Sequence, residues 1–387
     1  MMFRIKQLLK MMLQHAVYPL IYGLSRLFHP KVDPRKVIFA DAHHKDMPFS
    51  LRCMADEVLA EGYTAIFHFH DYTHDGALKA AAYGARFMWD YASAGLVFLC
   101  DNFLPAASCR KRKETFVAQL WHSCGLMKKM GYDTVDDIPS WYKGNVFANY
   151  DLVTVSAPAC IPFMISGMRQ PDGVVQATGV SRTDFYFIEE NRRNALAEFY
   201  GNFPEARGKK VILWAPTFRG PASAPTLAGL EAMDRLKEAL PEDWMLIKTV
   251  HPHIDADRVS RGQPRISDCE MPTERLLFAA DLLITDYSTV FSDYLLLDRP
   301  FVLFAPDYEE YAAARGLVID YKKITANLVT DGSALYAAVM RAYAEAESES
   351  SRLEREKLRQ LQVSACDGKA TTRILTTIRS MRKESKQ

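Results

Sequence analysis

The sequence has almost no net charge and no paired cysteine motif. Its 48 Lys and Arg residues balance 47 Asp and Glu residues over 387 positions, so no overall field favours nucleic acid as a partner. Seven cysteines are scattered without a C-x-x-C pair, which argues against a zinc site or a disulfide framework. We therefore predict reduced thiols in a cytoplasmic protein, with no metal and no cofactor. The cysteines are Cys53, Cys100, Cys109, Cys124, Cys160, Cys269 and Cys366.

The sequence also lacks an apolar run long enough to cross a bilayer. The uncharged stretch Met11 to Ser25 is too short and is interrupted by Gln14, His15 and Pro19. No small-residue cleavage site follows that would mark a secretory signal. Residues 1–30 instead carry apolar residues at helical spacing, with four basic residues and no acidic one. This pattern predicts an amphipathic helix on the cytoplasmic face of the cell membrane. A helix packed on the protein's own surface is the alternative.

The length and the order of the predicted elements indicate two α/β domains. Short apolar bursts alternate with helical patterns along the chain, which is typical of parallel sheets covered by helices. The polar segment Tyr200 to Lys209, with its glycines and proline, is the predicted linker. We predict a surface helix at 1–30, an N-terminal domain at 31–203 and a C-terminal domain at 204–350. Residues 351–387 should form a helical tail that packs back on the domains.

The most informative stretch is residues 281–321. A buried strand at 282–284 ends in the polar turn T-D-Y-S-T, and a helix and a second strand follow. The start of such a helix offers unpaired N–H groups to a phosphate, and Ser288 and Thr289 add hydroxyl donors there. The alternative is that these hydroxyls only cap the helix. Asp293, one turn further on, is a candidate for binding sugar or glycerol hydroxyls.

Histidines follow two predicted strands of the first half. His43 and His44 lie in the loop after the strand at 37–40, at the sheet edge where ligands usually bind. Solvated loop histidines are the alternative. The run W-H-S-C-G-L-M-K-K places His122 after another strand, with small residues and lysines that suit a nearby anion.

The second half repeats this arrangement at two strand ends. The motif A-P-T-F-R puts Thr217 and Arg219 after the strand at 211–215, where an arginine can bind a phosphate with two hydrogen bonds. A surface arginine is the alternative. The next strand delivers Lys248 and then His251. The acids at 255 and 257 could be mistaken for a metal-binding D-x-D pair. They fall at the start of a helix, where acidic residues favour the helix dipole.

These motifs together resemble the CDP-glycerol glycerophosphotransferases, which build teichoic-acid-type polymers. The resemblance covers roughly residues 101–374 and rests on W-H…K-K, A-P-T-F-R, H-P and T-D-Y-S-T…D in that order. Residues 179–184 are also similar to the family's G-x-P-R-x-D, with Ser181 in the place of proline. The turn after His122 reads S-C-G-L-M, whereas many members have G-T-P-L, so the acceptor is less well defined.

The resemblance implies a GT-B-like fold, in which two doubly wound parallel-sheet domains face a central cleft. It also implies transfer of glycerol phosphate from CDP-glycerol to a hydroxyl of a membrane-associated, lipid-linked glycan or polymer, with release of CMP. His122 would be the general base, and His251 would contact the donor diphosphate. Transfer of ribitol phosphate or of a sugar on the same fold is the closest alternative, and a non-catalytic binding module is the other. The expected site residues are His122 and His251 (catalytic), Thr217, Arg219, Lys248, Met271, Asp286, Ser288, Thr289 and Asp293 (donor), and His43, His44 and Lys128 (acceptor).

Overall fold

The computed structural model describes residues 2–72, 75–134, 138–220 and 225–384, without the side chains at 2, 3, 252 and 253. The chain forms two compact units. The first unit contains Met1–Ser123, Met130–Phe185 and Ser364–Gln387, and the second contains Cys124–Lys129 and Tyr186–Val363.

The N-terminal helical segment packs on the rest of the first unit through a face that carries Gln14, Tyr18, Tyr22 and Ser25. Gln14 is almost fully buried, and its amide donates hydrogen bonds to the carbonyls of Ala107 and Asn145. The Tyr142 hydroxyl donates to the Gln14 carbonyl oxygen, and the Ser25 hydroxyl donates to a backbone carbonyl of the first unit. The predicted helix is therefore present, and one of its faces packs against the protein itself. Its parts are α1 (Met2–Met12), a π-helical turn (Leu13–Val17) and α2 (Tyr18–Phe28).

The first unit is built on a parallel sheet of six strands. Their order is β2-β1-β3-β4-β5-β6, so β2 lies on one side of β1 and β3 on the other. The apolar run Val37–Ala40 in β1 is fully buried, as expected for a strand covered on both faces. The strands are β1 (Asp33–Asp41), β2 (Thr64–Phe69), β3 (Ala94–Leu99), β4 (Phe116–Gln119), β5 (Leu152–Thr154) and β6 (Val175–Gln176). The helices between them are α3 (Phe49–Ala60), α4 (Ala77–Tyr91) and α5 (Ile161–Met168).

The second unit has a parallel sheet of five strands in the order β11-β10-β9-β7-β8. Here β7, the second strand from one edge, has β8 on one side and β9 on the other. The strands are β7 (Lys210–Trp214), β8 (Trp244–Lys248), β9 (Leu282–Thr285), β10 (Phe301–Phe304) and β11 (Leu328–Val329). The helices are α6 (Glu189–Asn202), α7 (Leu230–Ala239), α8 (Pro252–Ser260), α9 (Thr273–Leu276), α10 (Val290–Leu295), α11 (Tyr308–Arg315), α12 (Tyr321–Ile324), α13 (Leu335–Ala344) and α14 (Glu349–Val363).

The unit boundaries differ from the predicted ones. The predicted break at 203/204 lies after α6, but α6 belongs to the second unit because Glu198 forms an ion pair with Arg275 there. The predicted tail is divided between the units. In the second unit, Arg355 of α14 pairs with Asp298. The last helix, α15 (Ala370–Glu384), joins the first unit, where Asp184 accepts hydrogen bonds from its first two backbone N–H groups.

The six-residue segment Cys124–Lys129 was not expected in the second unit either. The chain leaves the first unit directly after His122 and Ser123, and it returns to that unit at Met130. Among the helices of the described residues, none is long and apolar enough to span a membrane.

Candidate active site

In the first unit, His43, His44 and His122 lie in loops at the topological switch point of the sheet. Since β1 is followed by β2 on one side and by β3 on the other, a crevice opens beyond the carboxyl ends of β1 and β3. Loops from β1, β3 and β4 end at this edge and carry the histidine loop 43–44, Asp101 and His122. The predicted positions of His43, His44 and His122 at one sheet edge thus follow from the observed strand order.

Asp41, the last residue of β1, organises the loop that follows it. Its Oδ2 accepts hydrogen bonds from the backbone N–H groups of His43 and His44 at 2.7 and 2.8 Å, and His44 Nδ1 lies 2.8 Å away. Burial alone would raise the pKa of Asp41, but the hydrogen bonds from His44 and His43 lower the pKa to about 2. The same contact with Asp41 raises the pKa of His44. The lowered pKa of Asp41 keeps it ionised near neutral pH, and its negative charge favours the protonated His44 ring.

His122 is oriented by the end of β3. Its Nδ1 lies 3.1 Å from the carbonyl oxygen of Cys100 and 3.5 Å from Asp101 Oδ2. A carbonyl oxygen only accepts, so the neutral ring carries its proton on Nδ1 and presents the lone pair of Nε2. His43 Nε2 approaches the same Asp101 oxygen at 3.6 Å. With about half of its side chain exposed, His122 has the arrangement of an oriented general base.

The residue before His122 has a strained backbone. Trp121 adopts φ = 61°, in the left-handed region that non-glycine residues rarely enter. Its N–H donates to the Oε1 of Gln119, a fully buried residue whose amide group also donates to the carbonyl of Asp101. The indole packs on the imidazole of His122, with 4.5 Å between the ring centroids. Such a conformation costs about 1–3 kcal/mol and persists where its surroundings hold it.

The second unit has its own switch point, between β7 and β9. The loop after β7 carries Thr217 and Arg219, and the loop after β9 carries Asp286. Asp286 Oδ1 accepts hydrogen bonds from the backbone N–H groups of Thr217, at 2.8 Å, and of Tyr287, at 2.6 Å. The buried carboxylate of Asp286 therefore ties the two loops together.

Arg219, predicted to bind the donor phosphate, is bound within the protein by two carboxylates and a backbone carbonyl. Its Nε and Nη2 bind the Asp307 carboxylate, Nη2 also binds Asp286 at 2.9 Å, and Nη1 binds the carbonyl of Thr217. These four hydrogen bonds use all but one of the five N–H groups of a guanidinium. The guanidinium also lies 4.9 Å from the ring centroids of Tyr287 and Tyr311. Burial would lower its pKa, but the two carboxylates raise the pKa. The guanidinium of Arg219 thus links Asp286, Asp307 and the carbonyl of Thr217.

The other predicted donor residues fall into two groups. His251 is exposed and makes an edge contact with Phe218, which lies between Thr217 and Arg219, at 5.1 Å between ring centroids. Ser288 and Thr289 are half-buried in the turn before α10. Ser288 Oγ lies 3.4 Å from the backbone nitrogen of Val290, the first residue of α10.

Three predicted donor residues are paired or buried in ways that leave them less accessible to a ligand. The Lys248 ammonium pairs with Asp234 of α7 at 3.2 Å, so its charge is neutralised by a covering helix. Met271 and Asp293 are almost fully buried, which makes them part of the packing around the site. Lys128, predicted on the acceptor side, lies in the second unit, where it forms an antiparallel bridge with Leu317.

The carboxylates that organise both switch points were missed by the sequence analysis as site residues, apart from Asp286. Asp41 is the last residue of β1, and Asp101 and Asp307 follow β3 and β10 by two and three positions; this placement at strand ends was the available signal. Tyr287 and Tyr311 gave no such signal, since aromatic residues are common in buried segments. Asp255, in the discounted D-x-D pair, accepts a hydrogen bond from the backbone N–H of Ile266. Within the described ranges, no group of three or more His, Cys, Asp or Glu side chains is arranged to hold a metal ion.

The fold and both switch points define a two-domain, GT-B-like α/β protein. The solved wall teichoic acid polymerase TagF has a similar structure, with a TM-score of 0.73 and 19% sequence identity over 95% of this chain and 94% of that one. The family model for CDP-Glycerol:Poly(glycerophosphate) glycerophosphotransferase matches residues 22–380, and the chain belongs to this family. It is thus an enzyme of the teichoic acid phosphotransferase family.

The similar proteins include both a ribitol-phosphate primase and a glycerol-phosphate primase. The chain is 30% identical over 304 residues to the teichoic acid ribitol-phosphate primase of Bacillus spizizenii, covering 76% of this chain and 77% of that protein. It is also 30% identical over 238 residues to the teichoic acid glycerol-phosphate primase of Bacillus subtilis, covering 59% of this chain and 60% of that protein.

We expect Arg219→Ala to lower the free energy of unfolding by about 3 kcal/mol, because it leaves the buried Asp286 without its cation. Urea unfolding followed by circular dichroism measures this change. Arg235→Ala, which removes an exposed arginine of α7, is the matched control and should change stability by less than about 0.5 kcal/mol. If Arg219→Ala unfolds at the wild-type urea concentration and only weakens donor binding, the guanidinium is a phosphate ligand after all.

Proposed function

We propose that this enzyme transfers glycerol phosphate from CDP-glycerol to a hydroxyl group of a membrane-associated glycan or polymer, with His122 as the general base. The observation that carries the proposal is the orientation of His122. The Cys100 carbonyl and Asp101 both face Nδ1, so the Nε2 lone pair is available to an acceptor hydroxyl. Membership of the glycerophosphotransferase family supports the choice of reaction.

In the proposed reaction, Nε2 of His122 takes the proton of the acceptor hydroxyl as its oxygen attacks the glycerol-bearing phosphorus of CDP-glycerol. A new P–O bond forms, the P–O bond to CMP breaks, and CMP leaves with the electron pair. Because the transferred phosphoryl group carries dispersed negative charge, the enzyme chiefly positions the groups and stabilises that charge. His43 and His44 lie at the same sheet edge as His122 and belong to the acceptor side.

We assign the donor diphosphate to the second unit, with His251, Thr217, Ser288 and Thr289 as its polar contacts. His251 is exposed beside the loop that follows β7, where an imidazole N–H can donate to a phosphate oxygen. Arg219 and Asp286 serve as positioning residues for this loop, as their hydrogen bonds indicate.

His122→Ala should lower turnover by about 10² to 10⁴, which is the usual contribution of a positioned base. CDP-glycerol should still bind, since the donor contacts assigned above belong to the second unit. Turnover is measured as CMP release in the presence of acceptor, and donor binding by calorimetry. Turnover within a few-fold of the wild-type rate in a correctly folded variant would rule out this base.

CDP-ribitol is the alternative donor, favoured by the ribitol-phosphate primase among the relatives. A donor panel with CDP-glycerol, CDP-ribitol and a nucleotide sugar, each with a short lipid-linked glycan, separates the candidates. We expect CMP release with CDP-glycerol to exceed that with CDP-ribitol, and the acceptor to gain the mass of glycerol phosphate. Faster release from CDP-ribitol would contradict the glycerol assignment and leave the phosphotransfer mechanism standing.

We further propose that the N-terminal segment binds the membrane surface, where the acceptor is located. The face that packs on the protein carries Gln7, Gln14, Tyr18, Tyr22 and Ser25, whereas most leucines of the segment face solvent. An ordinary surface helix buries its leucine stripe instead. Leu27 is 77% exposed and Phe28 is 71% exposed. The four basic residues of this segment are also exposed and complement anionic lipid headgroups. The other exposed apolar residues are Ile5, Leu8, Leu9, Met12, Leu20 and Leu24.

Replacing Leu20, Leu24 and Leu27 together with Asp should reduce sedimentation with vesicles of mixed phosphatidylglycerol and phosphatidylcholine by about tenfold or more, since three apolar contacts are lost. Point substitutions are preferable to deletion of the helix, because Tyr18 and Tyr22 are buried against the first unit. Leu78→Asp is the matched control, as Leu78 is 90% exposed on α4. Unchanged sedimentation of the triple variant would contradict membrane binding through this face.

A further inference from the structure

The loop that carries His122 continues directly into the second unit. Three residues, Ser123 to Gly125, separate His122 from Leu126. Residues 127–129 then run beside the segment 316–318. The N–H of Val318 donates to the carbonyl of Met127 at 3.1 Å, and the N–H of Lys129 donates to the carbonyl of Gly316 at 3.1 Å. This pairing holds the far end of the loop.

Gln362 of α14 binds the part of the loop nearer to His122, at Leu126. Gln362 is fully buried, although a glutamine rarely is. Its side-chain carbonyl accepts the backbone N–H of Leu126, and its NH2 group donates to the backbone carbonyl of the same residue at 3.4 Å. One amide side chain therefore satisfies both backbone groups of a buried residue, as an adjacent strand would.

Gly125 shows how closely the loop approaches its anchor. It adopts φ = 75°, and an added Cβ would lie 2.0 Å from Gln362 Oε1 and 2.2 Å from Ser292 Oγ. Ser292 belongs to α10, the helix that follows the turn with Ser288 and Thr289. The same short segment thus contacts both α14 and the helix next to the proposed diphosphate turn.

We propose that Gln362 is a positioning residue for the base: it holds Leu126 and Gly125, and thereby fixes the loop that bears His122. The inference rests on the proposed role of His122. On the N-terminal side of His122, the side chain of Gln119 accepts a hydrogen bond from the Trp121 N–H. In the sequence, His122 therefore lies between two backbone segments that are each bound by a glutamine side chain. Neither glutamine acts on substrate. Each restricts the movement of a strained turn whose small displacement would misalign Nε2.

The test is a double-mutant cycle of Gln362→Met and His122→Ala, with turnover and CDP-glycerol binding measured for each variant. Methionine keeps the volume of the side chain but removes both hydrogen bonds to Leu126. We expect Gln362→Met to lower kcat by about 10- to 100-fold while the Kd for CDP-glycerol changes by less than about twofold. In the His122→Ala background the same substitution should have no further effect, because there is no base left to misplace.

Several outcomes overturn the inference. If the effects of the two substitutions multiply, Gln362 does not act through His122. If His122→Ala is slow but Gln362→Met is as fast as the wild type, the anchor is unimportant while the proposed function stands. Normal turnover of His122→Ala removes the proposed function, and this inference with it.

Two further variants distinguish a loss of loop positioning from a general loss of stability. Gly125→Ala disturbs the same contact from the loop side and should show the same loss of kcat and the same non-additivity with His122→Ala. Leu358→Ala, at a buried position of α14, is the control. It should lower the unfolding midpoint without altering kcat at a temperature where the protein is folded. A loss of kcat in Leu358→Ala equal to that in Gln362→Met would reduce the role of Gln362 to general stability.

Discussion

A buried carboxylate at the carboxyl end of a strand fixes the loops at the switch point of each unit. Asp41 ends β1 and accepts the backbone N–H groups of His43 and His44, and Asp286 follows β9 and accepts those of Thr217 and Tyr287. Loops at a sheet edge have few backbone partners of their own, so a carboxylate that binds two N–H groups fixes their course. Both carboxylates sit at topological switch points, where parallel strands leave a crevice.

The negative charge of the carboxylates at each switch point determines which contacts the nearby basic side chains make. In the second unit, Arg219 compensates Asp286 and Asp307, because an unpaired buried charge would cost several kcal/mol. Four of the five N–H groups of its guanidinium are therefore used within the protein, which is why we propose neutral hydroxyls and His251 as the donor contacts. In the first unit, Asp101 faces the imidazoles of His122 and His43 at longer distances, 3.5 and 3.6 Å. In each ring, one nitrogen faces Asp101: Nδ1 of His122 and Nε2 of His43.

The N-terminal segment shows that amphipathicity alone does not say which face of a helix is buried. The apolar stripe predicts a helix correctly, and an ordinary surface helix would turn that stripe to the core. Here the buried positions are Gln7, Gln14, Tyr18, Tyr22 and Ser25, and the leucines remain exposed. Gln14 can be buried because Ala107, Asn145 and Tyr142 satisfy its amide group.

The sequence by itself indicated the alternation of strands and helices and the polar residues that end several of the strands. Apolar bursts alternating with helical patterns are local properties, and polar residues at strand ends indicate which loops carry His122, His251 and Ser288. The tertiary structure alone decided the partners. Arg219 binds Asp286 and Asp307, Lys248 binds Asp234, and the segment 124–129 crosses into the second unit to meet Gln362. These pairings join residues from 14 to 236 positions apart. These pairings depend on the order of the strands in each sheet and on the packing of the helices. A local residue pattern does not specify that arrangement, because the paired residues are far apart in the sequence.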